Sequence, residues 1–201
     1  MVANFFTFHF SFFTLFCTFA VMKRICIFCS ANNNIAPAYF QLTEELGRWA
    51  AQEGYVIVFG GVNQGLMECV AKAAKEAGGK TVGVVPSIVE ESGRTSQYND
   101  EVISCTNLNE RKQLMIEQSD VFIALPGGVG TLDEIFTVAS SYTIGYHHKP
   151  VILYNMQGFW DSTVRMLDDL QQQGFIRGQW HDYIKVAGSL EELKRLLAGC
   201  C

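Results

Sequence analysis

Positive charge is scarce in this 201-residue sequence: 15 lysines and arginines stand against 20 acids, for a formal net charge of −5. The basic residues form no run, which leaves no electrostatic case for a nucleic-acid partner. Histidine is scarcer still, at four. Only His147 and His148 are neighbours, and adjacent residues on a helix or strand do not converge on one ion, so no metal is expected. There are four prolines and no low-complexity linker or repeat, so nothing marks a second domain. The seven cysteines are an odd number with no zinc-type spacing, which argues against both a disulfide framework and a zinc site. Cys26 and Cys29 form a C-x-x-C, but on an expected strand, where a spacing of three sends the two thiols to opposite faces. Redox pairs of that spacing sit instead at a helix N-terminus. Buried, reduced thiols in a cytoplasmic protein are the expectation.

What the chain does have is apolar bulk. Hydrophobic residues make up 49% and charged residues 17%, the balance of a globular domain with a sizeable core. The first 20 residues are unusual, since eight are phenylalanine and no charged side chain occurs from Val2 to Val21. That stretch barely reaches the ~20 residues needed to cross a bilayer. It is broken by Asn, Thr, Ser and His, and it lacks the basic start of a secretory signal. Met22-Lys23-Arg24 then leads at once into Ile25-Cys26-Ile27-Phe28, a buried-strand pattern, with no linker between. Residues 1–21 are therefore expected to be an apolar extension outside the fold, with Met22 the natural start. An N-terminal membrane anchor is the competing reading. Residues 22–201 are expected to form the single domain.

From Met22 onward, short apolar runs alternate with amphipathic segments of helix length. This pattern predicts a Rossmann-like, doubly wound α/β fold with a parallel sheet covered on both faces. Strands are expected at 25–29, 55–59, 81–85, 102–105, 121–125, 150–154 and 183–186. Helices are expected at 38–52, 66–77, 109–118, 132–144 and 159–173, with a last one capped by Ser189. The polar stretch 87–100 reads as an irregular active-site loop.

In such sheets ligands bind at the carboxyl ends of the strands. Three segments should meet there: 29–34, which contains Ser30; 60–65, which opens with Gly60-Gly61; and 126–131, Pro-Gly-Gly-Val-Gly-Thr. The last carries the most information. Its glycines allow close approach of an anion, and the helix that follows directs free N–H groups and a positive dipole end toward it. No Gly-Lys-Ser/Thr follows, and no G-x-G-x-x-G follows the first strand, so neither ATP nor nicotinamide chemistry is indicated. Thr131 and Glu134 have capping-box spacing, which explains Glu134 structurally as well as catalysis would. Asp133 fits the first helical turn for the same dipole reason. Arg111 and Lys112 follow another strand end, where they are either a solvated face or cations near the phosphate loop.

These residues carry a resemblance. Pro126–Glu134, PGGVGTLDE, with Glu110-Arg111-Lys112 upstream, resembles the paired signature of the LOG (Lonely Guy) family. Its members are cytokinin riboside 5′-monophosphate phosphoribohydrolases, often labelled lysine decarboxylases. The likeness extends over the strand-one turn, Gly60-Gly61 and Gly65-Leu66-Met67. The resemblance implies that Arg111 and Glu134 are catalytic. It implies that Gly127, Gly128, Gly130 and Thr131 hold a 5′-phosphate, with Lys112 and Asp133 also in the site. It further implies a homodimer with the site near the interface, for which the helix around Phe136 to Ile144 offers a contact face. No cofactor is expected, and nothing in the sequence suggests pyridoxal phosphate. Several positions depart from the family pattern: the glycine after the strand-one Cys is absent, leaving Cys29-Ser30-Ala31, Val62 and Glu68 replace glycines, Leu108-Asn109 replaces Met-His, and Ser141 and Thr143 replace Trp and Gln.

The expected substrate is thus a purine nucleoside 5′-monophosphate, N6-modified or plain, cleaved to free base and ribose 5-phosphate. A non-catalytic nucleotide or cofactor carrier could use the same sheet and glycine loop, but has no need of Arg111 and Glu134 together.

Overall fold

The computed structural model describes residues 23–199, so the expectation for residues 1–21 lies outside the described residues. Seven strands form one parallel sheet: β1 (Arg24–Phe28), β2 (Val56–Phe59), β3 (Lys80–Pro86), β4 (Glu101–Cys105), β5 (Val121–Ala124), β6 (Val151–Tyr154) and β7 (Ile184–Ala187). Among the described residues seven α-helices accompany them: α1 (Pro37–Gln52), α2 (Gly65–Glu76), α3 (Ser87–Glu91), α4 (Leu108–Glu117), α5 (Val129–Thr143), α6 (Asp161–Gln172) and α7 (Leu190–Gly199). The spatial order is β4-β3-β2-β1-β5-β6-β7. The chain winds outward from β1 to β4, then returns to the other side of β1 at β5. That reversal opens a crevice between the carboxyl ends of β1 and β5.

The strands can be near-continuous apolar runs because helices bury both faces of the sheet. On one face Ile25, Ile27, Ile57 and Ile123 pack with Leu46 of α1, Leu66 and Val70 of α2 and Leu193 of α7. On the other, Val58, Phe122 and Leu153 pack with Met115 of α4, Ile135 and Val138 of α5 and Leu167 of α6. Cys29 belongs to the first cluster and Cys26 to the second, so the two thiols do lie on opposite faces. Both are buried, and desolvation pushes both thiols well above their ordinary range, which makes them inert. Among the described residues no helix is long and apolar enough to cross a membrane.

Two local readings are corrected. The stretch 87–100 is not wholly irregular: it begins with α3 and is then pinned along β2 and β3. Ser96 N–H donates to Gly61 O, and the Asn99 side chain donates to Gly61 O and Ser96 O while packing over Gly83. Helix α5 starts at Val129, with Gly128 as its N-cap and no side-chain cap. Thr131 is therefore within the first turn, and Thr131 and Glu134 do not form a capping box. Side-chain caps form instead on α7, where Ser189 accepts from the Glu192 N–H and Glu192 from the Gly188 N–H, and on α4. Asn107 accepts from the N–H groups of Asn109 and Glu110, and Glu110 reaches back to the Thr106 N–H.

Candidate active site

The crevice holds a cleft of about 310 Å³. One wall is the turn after β1, from Cys29 to Asn32; the other is the glycine loop after β5, with Gly128, Gly130 and Thr131. Met67 of α2, Arg111 of α4 and Glu134 of α5 complete it. The two walls are tied together, since Ser30 N–H donates to Pro126 O. Ser30 also fixes its own turn, its hydroxyl accepting from Asn32 N–H. All three segments expected to converge are at this end of the sheet.

Helix α5 opens onto the cleft. Its first intrahelical bond runs from Leu132 N–H to Gly128 O, at 3.0 Å. The N–H groups ahead of it, on Val129, Gly130 and Thr131, are those a helix leaves without an intrahelical acceptor. A side chain at Gly128 or Gly130 would meet no protein atom within 4 Å. Packing therefore does not require glycine at either position; within the helix Gly130 costs ~1 kcal/mol relative to alanine, while Gly128 is at the N-cap, where glycine is favoured. An anion lying against the backbone does require it. Gly127 differs, because a methyl group there would overlap the Thr131 hydroxyl.

Arg111 and Glu134 meet behind this loop. Arg111 Nη1 donates to Glu134 Oε1 at 3.0 Å, with the two side chains only 11% and 6% exposed. Arg111 Nε donates to Val84 O at 3.0 Å, which anchors the guanidinium to the end of β3. Gly60, at the end of β2, faces the same guanidinium. Burial pushes the Glu134 carboxyl up to about 7, with Asp133 adding to the rise and Arg111 and Lys112 opposing it. A carboxyl group balanced near neutrality beside a fixed cation is suited to proton transfer and to stabilising a developing positive charge.

Not every expected site residue reaches the cleft. Lys112 grips Asp133 through both carboxylate oxygens, at 2.8 Å each, across the outer side of α4 and α5. Neither residue lines the cleft; Lys112 lines the groove between those two helices instead. Gly61 supports the site from beneath, with φ +68° and a close approach to Val85 and Gly83. Sequence reasoning passed over Asn107, whose cap sets the start of α4 and so the direction of Arg111. It also passed over the carbonyl of Val84.

The arrangement is matched by known proteins. A family model described as "Possible lysine decarboxylase" matches residues 67–197. Cytokinin riboside 5′-monophosphate phosphoribohydrolase LOG5 of Arabidopsis thaliana is 34% identical over 177 residues, covering 88% of this chain and 78% of the relative. Its paralogue LOG7 is 35% identical over 175 residues, covering 87% and 81%. The chain belongs to the LOG family. The family model's decarboxylase label finds no support in the cleft, which among the described residues has no lysine lining it for a Schiff base. The fold is shared more widely. A molybdenum cofactor binding protein from Rippkaea orientalis superposes with a TM-score of 0.68 at 24% identity, covering 89% of this chain and 96% of that one. The Moco carrier protein from Chlamydomonas reinhardtii does so at 0.69 and 23%, covering 89% and 97%.

Proposed function

We propose that this LOG-family chain hydrolyses the N-glycosidic bond of purine nucleoside 5′-monophosphates, plain or N6-modified, to free base and ribose 5-phosphate. The observation that carries this reading is the buried Arg111–Glu134 pair set directly behind a glycine loop at a helix N-terminus. The relatives named as phosphoribohydrolases support it.

The 5′-phosphate would lie against Gly128, Gly130 and Thr131, held by the free N–H groups and dipole of α5. That grip places C1′ deeper in the cleft, near Glu134. Breaking the bond to the base leaves an oxocarbenium-like sugar, whose positive charge an ionised Glu134 stabilises. The bond's electron pair leaves with the base, which takes up a proton from solvent. The same carboxylate accepts a proton from the water that attacks C1′ and returns it to solvent, while Arg111 holds it in position. Phosphate contacts far from the reacting bond hold the sugar in register for the step. A carrier on this fold would need the anion loop but not a carboxyl group tuned to about 7 against a fixed cation. Incubation of the purified protein with AMP should release adenine and ribose 5-phosphate in equal amounts, measured by chromatography. Absence of both products, with AMP and N6-modified AMP alike, would refute the hydrolase reading.

The protein is further proposed to be a cytoplasmic homodimer. Leu108, Val129, Ile144 and Tyr146 are exposed apolar side chains at the ends of α4 and α5, as a dimer face there would require. The chain begun at Met22 should sediment with a dimer's mass and turn over AMP as fast as the full chain. An inactive or insoluble truncated protein, alongside active full-length protein in membranes, would instead make the Phe-rich segment an anchor.

A further inference from the structure

We propose that Gly60 is a positioning residue for this reaction: its missing side chain leaves the space in which the Arg111 guanidinium reaches both Val84 O and Glu134. The guanidinium is fixed on three sides. Its Nε bonds Val84 O near the end of strand β3, its Nη1 bonds Glu134, and its Nη2 lies over Gly60. A Cβ at position 60 would overlap Nη2 outright. Its other close neighbours are Met67 Sδ at 2.8 Å and Cε at 3.1 Å, the free end of a flexible side chain that can turn aside. The guanidinium has no such freedom while both its hydrogen bonds are kept. Alanine at 60 therefore moves Arg111, and Arg111 can move only by stretching its bond to Glu134, to Val84, or to both.

The consequence reaches the carboxyl group. The charged and titratable groups acting on Glu134 are Arg111 and Lys112 of α4, its α5 neighbour Asp133, and the thiols of Cys26 and Cys29. Arg111 is the principal one that favours the anion. Drawing it back leaves a buried carboxyl group facing desolvation with less opposition, so its titration moves upward. Turnover falls because the acid is less ionised at neutral pH and is held less firmly. Phosphate binding is spared, because Gly60 does not line the cleft that Gly128, Gly130 and Thr131 line.

The kinetic arm of the test rests on the hydrolase reading; the titration arm does not. Gly60→Ala, Arg111→Ala and the double variant are compared with wild type by AMP turnover, thermal melting and ¹³C NMR titration of Glu134, assigned by its loss in Glu134→Gln. In Gly60→Ala, kcat should fall about 10- to 100-fold, with ribose 5-phosphate binding little changed and the Glu134 midpoint raised by about one unit. In the Arg111→Ala background the same Gly60→Ala change should do almost nothing to any readout, the non-additivity expected of two residues acting as one unit. If Gly60→Ala unfolds the protein only while Arg111 is present, the proposal stands. If the substitution has equal effects in both backgrounds, or leaves the Glu134 titration where it was, the proposal is overturned. A shifted titration in a protein that never cleaves AMP would overturn the hydrolase reading and keep the positioning role.

Discussion

Glu134→Gln should lose about 100-fold or more in turnover and yet melt a few degrees above wild type at pH 8. Loss of activity follows from removing the charge that stabilises the sugar cation. The gain in stability follows from the carboxyl group's position. Its titration is raised from 4.5 to about 7 because desolvation outweighs the pull of Arg111. A carboxyl group raised in this way is at home in the folded protein when protonated. Its contribution to stability is complete below pH 4.5 and is lost as pH rises through about 7. Glutamine imitates the protonated form and still offers Arg111 an acceptor. The variant should therefore lead wild type by on the order of 1–3 kcal/mol above pH 7, a lead that vanishes at pH 4. For wild type, kcat/KM should climb with pH to a plateau above about 7, a limb the residual activity of Glu134→Gln lacks. Near-full turnover in the variant would remove Glu134 from the chemistry. Melting far below wild type at pH 8 would show that Glu134 serves the fold.

The difference between this pair and an ordinary surface salt bridge explains what was readable from the sequence. Strands β1, β2, β3, β5 and β6 were legible because a parallel strand covered on both faces is an uninterrupted apolar run. Helix α1 was legible from Pro37 and Gly54, its local start and stop signals. The glycine loop ahead of α5 was legible because glycines before a helix let an anion approach the backbone closely. Helix α3 was not, since five residues are too few to show a period. The start of α5 was misread because Thr131-x-x-Glu134 has the spacing of a cap, and only the burial of Glu134 against another helix separates the two roles. The cap on α7 was legible from Ser189 and Glu192, whereas the cap on α4, with Asn107 three residues before Glu110, is masked by the adjacent charges of Arg111 and Lys112. Lys112–Asp133, Gly60–Arg111 and Arg111–Val84 O join residues 21, 51 and 27 apart in sequence. No local pattern encodes such pairs. They exist because β2, β3 and the starts of α4 and α5 end at the same edge of the sheet.

Adenosine should be cleaved with a kcat/KM about 1,000-fold or more below that of AMP. The two substrates share the bond that breaks, the ribose and the base; they differ by a dianion. In the cleft that dianion would meet the N–H groups of Val129, Gly130 and Thr131 at the positive end of α5, with Gly128 and Gly130 leaving the approach open. Hydrogen bonds to a charged group contribute ~1.5–3 kcal/mol each, and three of them amount to a factor of roughly 1,000 or more. The loss should appear in kcat as well as KM, because the phosphate grip is what holds C1′ at Glu134 during the step. Placing a side chain where the anion sits should produce the same defect from the protein's side. Gly128→Ala puts a methyl group into open space, where it meets no protein atom within 4 Å. Folding should lose only the ~1 kcal/mol that separates glycine from alanine at an N-cap, while AMP cleavage falls toward the adenosine rate and adenosine cleavage itself changes little. Equal kcat/KM for AMP and adenosine in the wild type would show that the α5 loop is not the phosphate site. Gly128→Ala slowing both substrates alike would show that the glycine serves the sugar or base instead.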